Sequence, residues 1–151
     1  MKKFNFIAIF AVISVMSFSN NQYNNSLIGN VWKIDNFFCL DEQIKHYTLE
    51  LHIKEQGKLN WGTFVEFKND GTFRSYNHER CGNTVFNTIT GTYSIKNQIL
   101  TINVDTIVIN KRGIGGDIRT EYIEESYQFE IKQNNNKVDL FLINRIISNA
   151  K

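Results

Sequence analysis

The chain has 151 residues, which is the size of one domain. Its formal net charge is +2, from 17 basic and 15 acidic residues, and this is too small to indicate nucleic acid or an anionic membrane as an obligate partner. Hydrophobic residues make up 42% of the sequence, which excludes a disordered chain and allows a packed core.

The N-terminus has the organisation of an export signal. Lys2 and Lys3 form a short positive region, and the run from Phe4 to Phe18 is almost entirely apolar. This run is shorter than the ~20 residues that span a bilayer. Ser17-Phe18-Ser19 then places small residues at the two positions that a signal peptidase reads. We therefore predict that residues 1–19 are a cleaved signal peptide and that the protein is periplasmic or extracellular; the alternatives are a buried first helix and a retained membrane anchor, although no stop-transfer pattern follows.

Residues 20–151 show the pattern of one domain, without a further membrane span, built from short strands. Apolar and polar residues alternate along most segments, as at Leu100, Ile102 and Val104, which is typical of half-buried strands. The predicted strands are 31–38, 47–54, 63–68, 72–76, 84–95, 99–110, 120–132 and 138–144. About eight strands with mostly short connections predict an all-β fold, an antiparallel barrel or sandwich, and barrel closure is favoured because it removes exposed edges.

The connections carry their own signals. Asn69-Asp70-Gly71 and Lys96-Asn97-Gln98 predict tight turns, and Gly91 predicts a bend or bulge within its strand. Residues 111–117 form a glycine-rich loop. The stretch 40–57 also fits a helical stripe, so residues 40–46 are left open between a loop and a short helix.

Five short segments together resemble the small bacterial lipocalin-like domains of the calycin group. They are Leu27–Trp32, Phe67–Phe73, Cys81–Asn83, Gly91–Ile95 and Leu100–Ile102. The resemblance implies an eight-stranded up-and-down barrel with Trp32 plugging its closed end and small apolar molecules as ligands. Two residues separate Gly29 from Trp32, where lipocalins prefer one. The resemblance also places Arg145 where it would pack on Trp32 through a cation–π contact, an exposed arginine being the alternative.

The two cysteines, Cys39 and Cys81, are expected to form a disulfide if the protein is exported. On the loop-entropy model such a bond stabilises the fold by ~4 kcal/mol. In a plain eight-strand meander, however, the two residues lie at opposite rims of the barrel, too far apart to bond. An excursion of residues 40–60 outside the barrel would bring them to the same rim. Two buried thiols are the alternative.

The spacing of possible metal ligands and of glycines gives two weak signals. His46, Glu50 and His52 share one strand face, where Glu50 and His52 could hold a cation, but this is the polar face of an amphipathic strand and a solvated face is the alternative. Gly113-Ile114-Gly115-Gly116 lacks the Gly-Lys-Ser/Thr ending of a phosphate loop. The sequence therefore predicts no metal site and no cofactor.

The sequence also shows no recognisable arrangement of catalytic residues. There is no Gly-x-Ser-x-Gly elbow, and a pairing of Cys81 with His78 would lose its thiol to the disulfide. Glu124 and Glu125 are adjacent, so they point to opposite faces of a strand. We therefore predict that the protein is not an enzyme.

Aromatic residues on the apolar phase of the strands are the candidate ligand-binding residues: Phe67, Phe73, Tyr93, Tyr127 and Phe129. They either fill the core or line a cavity in which a tyrosine hydroxyl orients a ligand.

Two functions follow. The first is an exported binding protein that holds a small hydrophobic molecule inside the barrel. The second is a protein-interaction module, similar to barrel-shaped protease inhibitors, that acts on an exported partner through the asparagine-rich leader 20–26 and the loop 111–117.

Overall fold

The computed structural model describes residues 26–53, 61–78, 85–111, 118–134 and 136–147. They form an all-β fold in which eight antiparallel strands close into a barrel, as the sequence predicts. The strands are β1 Val31–Ile34, β2 His46–Leu51, β3 Gly62–Phe67, β4 Thr72–His78, β5 Val85–Lys96, β6 Ile99–Lys111, β7 Ile118–Asn134 and β8 Lys137–Ile147. In this part of the chain, no helix has the length and apolar character needed to cross a bilayer.

The order of the strands departs from a plain meander at β1. Around the barrel the order is β1-β2-β8-β7-β6-β5-β4-β3, so β1 lies between β2 and β3. Trp32 pairs with Leu51 of β2 on one side and with Val65 of β3 on the other. Because both pairings are antiparallel, β2 and β3 run in the same direction.

This arrangement corrects the expectation that the first and fourth strands end at opposite rims. β1 and β4 run in the same direction, so β4 ends at the rim that Cys39 occupies, which we call the Cys39 end. The barrel keeps an even number of strands because β2, which lies within residues 40–60, is one of them.

The predicted disulfide is not supported. Cys39 carries a free thiol and is buried in the core. Cys39 is only 5% exposed and belongs to the core cluster. Cys81 lies outside the described residues.

The opposite rim, the Trp32 end, is closed by the residues that precede β1. Gly29 N–H donates to Phe67 O at 2.7 Å, and the Trp32 indole N–H donates to Leu27 O at 3.0 Å. Trp32 and Leu27 are both buried there.

Arg145 does not pack on Trp32. Lys33, next to Trp32, pairs with Glu50 of β2, and Glu50 in turn pairs with Lys137 at the start of β8. Trp32 therefore lies near the start of β8. Arg145 is eight residues further along β8, roughly 26 Å away at 3.3 Å per residue. Its guanidinium instead lies over the ring of Tyr127, 5.6 Å from the centroid.

The predicted turns and the bulge are confirmed. Gly71 has φ 81°, and the Asp70 carboxylate accepts from Thr72 N–H at 2.9 Å. Asn97 and Gln98 both have positive φ, as a two-residue hairpin turn of the primed type requires.

Gly91 marks the bulge in β5. The register of β5 against β6 shifts between Thr90 and Gly91. A Cβ at Gly91 would lie 1.9 Å from Asn103 O, so no larger residue fits without moving the backbone.

Phe38, which the sequence assigns to the first strand, lies instead in the interior of the barrel. β1 ends at Ile34, and Phe38 is fully buried at the centre of the aromatic core. Its ring centroid lies 5.0 Å from that of Tyr47, 5.4 Å from Phe129, 5.9 Å from Phe67 and 6.1 Å from Phe73. We call Phe37–Cys39 the plug, because it fills the interior below the Cys39 end.

Replacing the central ring should therefore destabilise the whole barrel. We expect Phe38→Ala to lower the free energy of unfolding by about 3–5 kcal/mol, because it leaves a cavity among four aromatic rings. Urea denaturation followed by circular dichroism measures this. Ile53→Ala is the control, since Ile53 is exposed and its loss should cost less than about 0.5 kcal/mol. Equal effects in the two variants would show that Phe38 is not part of the core.

Candidate functional site

A cavity of about 240 Å³ opens at the Cys39 end of the barrel, above the plug. We call it the mouth cavity. Its walls come from the plug and the residues after it, from β6 and β7, and from the far end of β8. The lining residues are Cys39, Leu40, Glu42, Val104, Ile107, Glu121, Ile123, Glu125, Tyr127 and Arg145.

Strands β6 and β7 supply most of this wall. Along β7 the residues from Glu121 to Tyr127 that line the cavity are alternate ones, as the period of a strand requires. On β6 the register against β7 shifts between Val104 and Thr106, so Val104 and Ile107 both face inward although they are three residues apart. The bulge thus places two apolar side chains in the cavity wall.

Arg145 holds two carboxylates together at the floor and rim of the cavity. Its Nη2 lies 2.9 Å from Glu125 Oε1 and 3.0 Å from Glu42 Oε1, and its Nε lies 3.3 Å from Glu125 Oε2. The side chains of Arg145 and Glu125 are only 17% and 18% exposed, whereas Glu42 is at the surface. The hydrogen bond from Arg145 lowers the pKa of Glu42 and raises that of the arginine.

Tyr127 joins this network to the plug. Its hydroxyl donates to the Glu125 carboxylate and lies 3.3 Å from Cys39 O. Burial, followed by the hydrogen bond to Glu125, raises the pKa of Tyr127, so the hydroxyl stays protonated and can donate.

Cys39 forms the base of the cavity. Its backbone has φ 60°, in the left-handed region, and its N–H donates to Tyr47 Oη at 3.1 Å. Burial raises the pKa of its thiol, with the nearby Glu125 carboxylate acting in the same direction. Cys39 is therefore a neutral thiol that contributes a small, weakly polar surface.

Of the five aromatic residues predicted to bind a ligand, only Tyr127 lines the mouth cavity. Phe67, Phe73 and Phe129 lie beneath it, in contact with the plug residue Phe38. Tyr93 packs on Phe67 and donates its hydroxyl to Lys68 O at 2.6 Å, toward the Trp32 end. Its location separates it from the cavity.

The three residues considered for a cation have separate partners. His46 Nε2 lies 3.1 Å from Asp139 Oδ1, Glu50 pairs with Lys137, and His52 packs against the ring of Phe64. Within the described ranges, no three His, Cys, Asp or Glu side chains are grouped so that they could hold a metal ion.

Sequence reasoning missed the carboxylates of this site, although one signal for them was present. Glu121 and Glu125 occur on the same strand phase as Ile123, Tyr127 and Phe129, which is the apolar phase of β7. An acidic residue on the inward phase of a barrel strand is expensive to bury unless it is paired, so its presence indicates a polar interior. The partner Arg145 and the rim residue Glu42 come from distant parts of the chain, which local patterns do not connect.

Comparison of the chain with family models, with curated proteins and with solved structures finds no match. The eight-stranded barrel is compatible with a calycin-like fold.

The state of Cys39 can be tested directly. We expect iodoacetamide to leave Cys39 unmodified in the native protein, because the thiol is buried and its pKa is raised. Unfolding without a reductant should allow full alkylation, measured by peptide mass spectrometry. A Cys81→Ser variant, in which Cys39 is the single thiol, serves as the control. A peptide in which Cys39 is linked to Cys81 would contradict the free thiol.

Proposed function

We propose that this protein is an exported, lipocalin-like barrel that reversibly binds a small, largely apolar molecule in the mouth cavity. The observation that carries the proposal is the cavity itself, which lies above the plug and the aromatic core. Leu40, Val104, Ile107 and Ile123 give it apolar walls.

The volume limits the size of the ligand. A dry cavity of about 150 Å³ in another protein binds benzene. A cavity of about 240 Å³ leaves room for such a ring with a short substituent. Burial of the ring against the apolar walls supplies affinity at roughly 25 cal/mol per Å².

The polar residues of the site support binding in preference to catalysis. Arg145, Glu125 and Tyr127 are bonded to one another, so each is held by the others and none faces the cavity as an unpaired acid or base. The Cys39 thiol is kept protonated by burial, which is the opposite of what a nucleophile needs. We therefore propose a non-enzymatic function.

Occupation of the mouth cavity can be tested with a substitution that fills it. Ile123→Trp should weaken the binding of 2-phenylethanol, a neutral aromatic probe, by at least about tenfold, because the indole takes the ligand's space. Tyr122→Trp is the matched control: Tyr122 is the neighbouring residue on β7 and is 86% exposed. Binding is measured by calorimetry and by ligand-observed NMR.

Two results would contradict this part of the proposal. Equal affinity in the Ile123→Trp and Tyr122→Trp variants would place the probe elsewhere. Absence of saturable binding across a panel of small apolar compounds in the wild-type protein would overturn the binding function.

Export can be tested by measuring the mass and the location of the protein in the organism that produces it. We expect the mature chain to begin at Asn20 and to be recovered outside the cytoplasm, because residues 1–19 have the pattern of a signal peptide. An Ile9→Arg variant, with a charge in the apolar run, should accumulate uncleaved. Intact wild-type chain confined to the cytoplasm would contradict export.

The alternative function, an interaction module or inhibitor-like barrel for an exported partner, is favoured by one observation. Ile118, Tyr122, Ile146 and Ile147 are large hydrophobic residues of β7 and β8 that lie exposed toward the Cys39 end. The leader residues 20–25 and the loop residues 112–117 that would make the contacts lie outside the described residues.

A further inference from the structure

We propose that the mouth cavity selects an organic cation, a protonated primary amine on a short apolar body, over neutral and anionic molecules of the same size. This inference deepens the proposed binding function and depends on it. It follows from three properties of the lining: four of its donor groups are engaged within the protein, its carboxylates outnumber its guanidinium, and its apolar walls suit a hydrocarbon body.

Four donor groups of the lining are engaged within the protein. Arg145 uses Nε and Nη2 on Glu125 and Glu42. The Tyr127 hydroxyl donates to Glu125, and Cys39 N–H donates to Tyr47. Carboxylates, in contrast, offer about four acceptor positions each, so Glu42 and Glu121 retain acceptor capacity. A ligand that donates hydrogen bonds therefore fits this lining better than one that accepts them.

The charge of the lining favours the same class. Three carboxylates, Glu42, Glu121 and Glu125, line the cavity with one guanidinium, that of Arg145. Since Arg145 faces Glu42 and Glu125, an anionic ligand that approaches it also meets the negative charge of both carboxylates.

Among the residues that the structure describes, Arg119 and Lys45 are further cations near the rim, outside the lining. Arg119 pairs with Glu121 at 3.0 Å and is 75% exposed, and Lys45 Nζ donates to Glu42 O at 2.9 Å. Solvent and salt screen these exposed charges, and that of the exposed Glu42, more strongly than those of the part-buried Glu121 and Glu125. Glu121, the lining carboxylate that is not bonded to Arg145, is therefore the residue that we expect to receive the ammonium group.

The rest of the lining indicates an organic cation in preference to a metal ion. In the part of the chain that the structure describes, no cluster of three metal-ligating side chains occurs. Val104, Ile107 and Ile123 instead offer a surface that an apolar body can cover.

The test compares three ligands of matched shape at neutral pH and low salt: 2-phenylethylamine, 2-phenylethanol and 3-phenylpropanoate. We expect the amine to bind at least about tenfold more tightly than the alcohol, and the carboxylate to bind most weakly. The preference for the amine should shrink in high salt, because it is electrostatic.

Two variants assign the effect to the cavity. Glu121→Gln keeps the shape of the side chain and should reduce the amine's affinity to near that of the alcohol, while the alcohol's affinity stays unchanged. Glu124→Gln is the matched control, because Glu124 is an exposed acidic residue on the same strand, three positions after Glu121. It should leave both affinities unchanged.

The outcomes separate this inference from the function on which it depends. Equal binding of amine and alcohol, or tighter binding of the carboxylate, would overturn the cation preference and leave the binding function standing. An equal loss of amine affinity in both glutamine variants would also overturn it, because the effect would then be non-specific. Failure of all three compounds and of the neutral panel would overturn both.

Discussion

The ring of Phe38 is the contact on which the rest of the barrel interior depends. It enters from the segment after β1 and packs on Tyr47, Phe67, Phe73 and Phe129, which belong to four other strands. An eight-stranded barrel is just wide enough to be filled by side chains or to hold one small ligand. Here the plug and the aromatic rings around it fill the interior below the mouth cavity, which lies at the Cys39 end.

The polar network above the plug follows from this division. Glu125 occupies an inward position that would be costly for an isolated charge, and Arg145 offsets that cost with contacts of 2.9 and 3.0 Å to its two oxygens. Tyr127 links the same carboxylate to Cys39 O, so the network is attached to the plug that forms its floor. The apolar core and the polar mouth are thus two parts of one interior, joined at Cys39.

The sequence predicted the strands well and their arrangement less well, for a physical reason. Alternation with a period of two is a local signal, and it located all eight strands, including β2, whose segment also fitted a helix. The insertion of β1 between β2 and β3 depends on pairing between distant residues, such as Trp32 with Val65, which no local pattern encodes. The inward course of Phe38 was missed because a plug residue outside a strand has no periodicity that marks its direction.

The candidate site was predicted only in part, and the same distinction explains why. Tyr127 lies on the apolar phase of its strand and lines the cavity, whereas Phe67, Phe73 and Phe129 share that phase and belong to the core. Only the position of the plug separates the two groups. A cavity of about 240 Å³ buries little ligand surface, so apolar contact alone gives weak discrimination among ligands of one size. The proposed function therefore assigns ligand discrimination to the charged groups of the wall, which are Arg145, Glu42, Glu121 and Glu125.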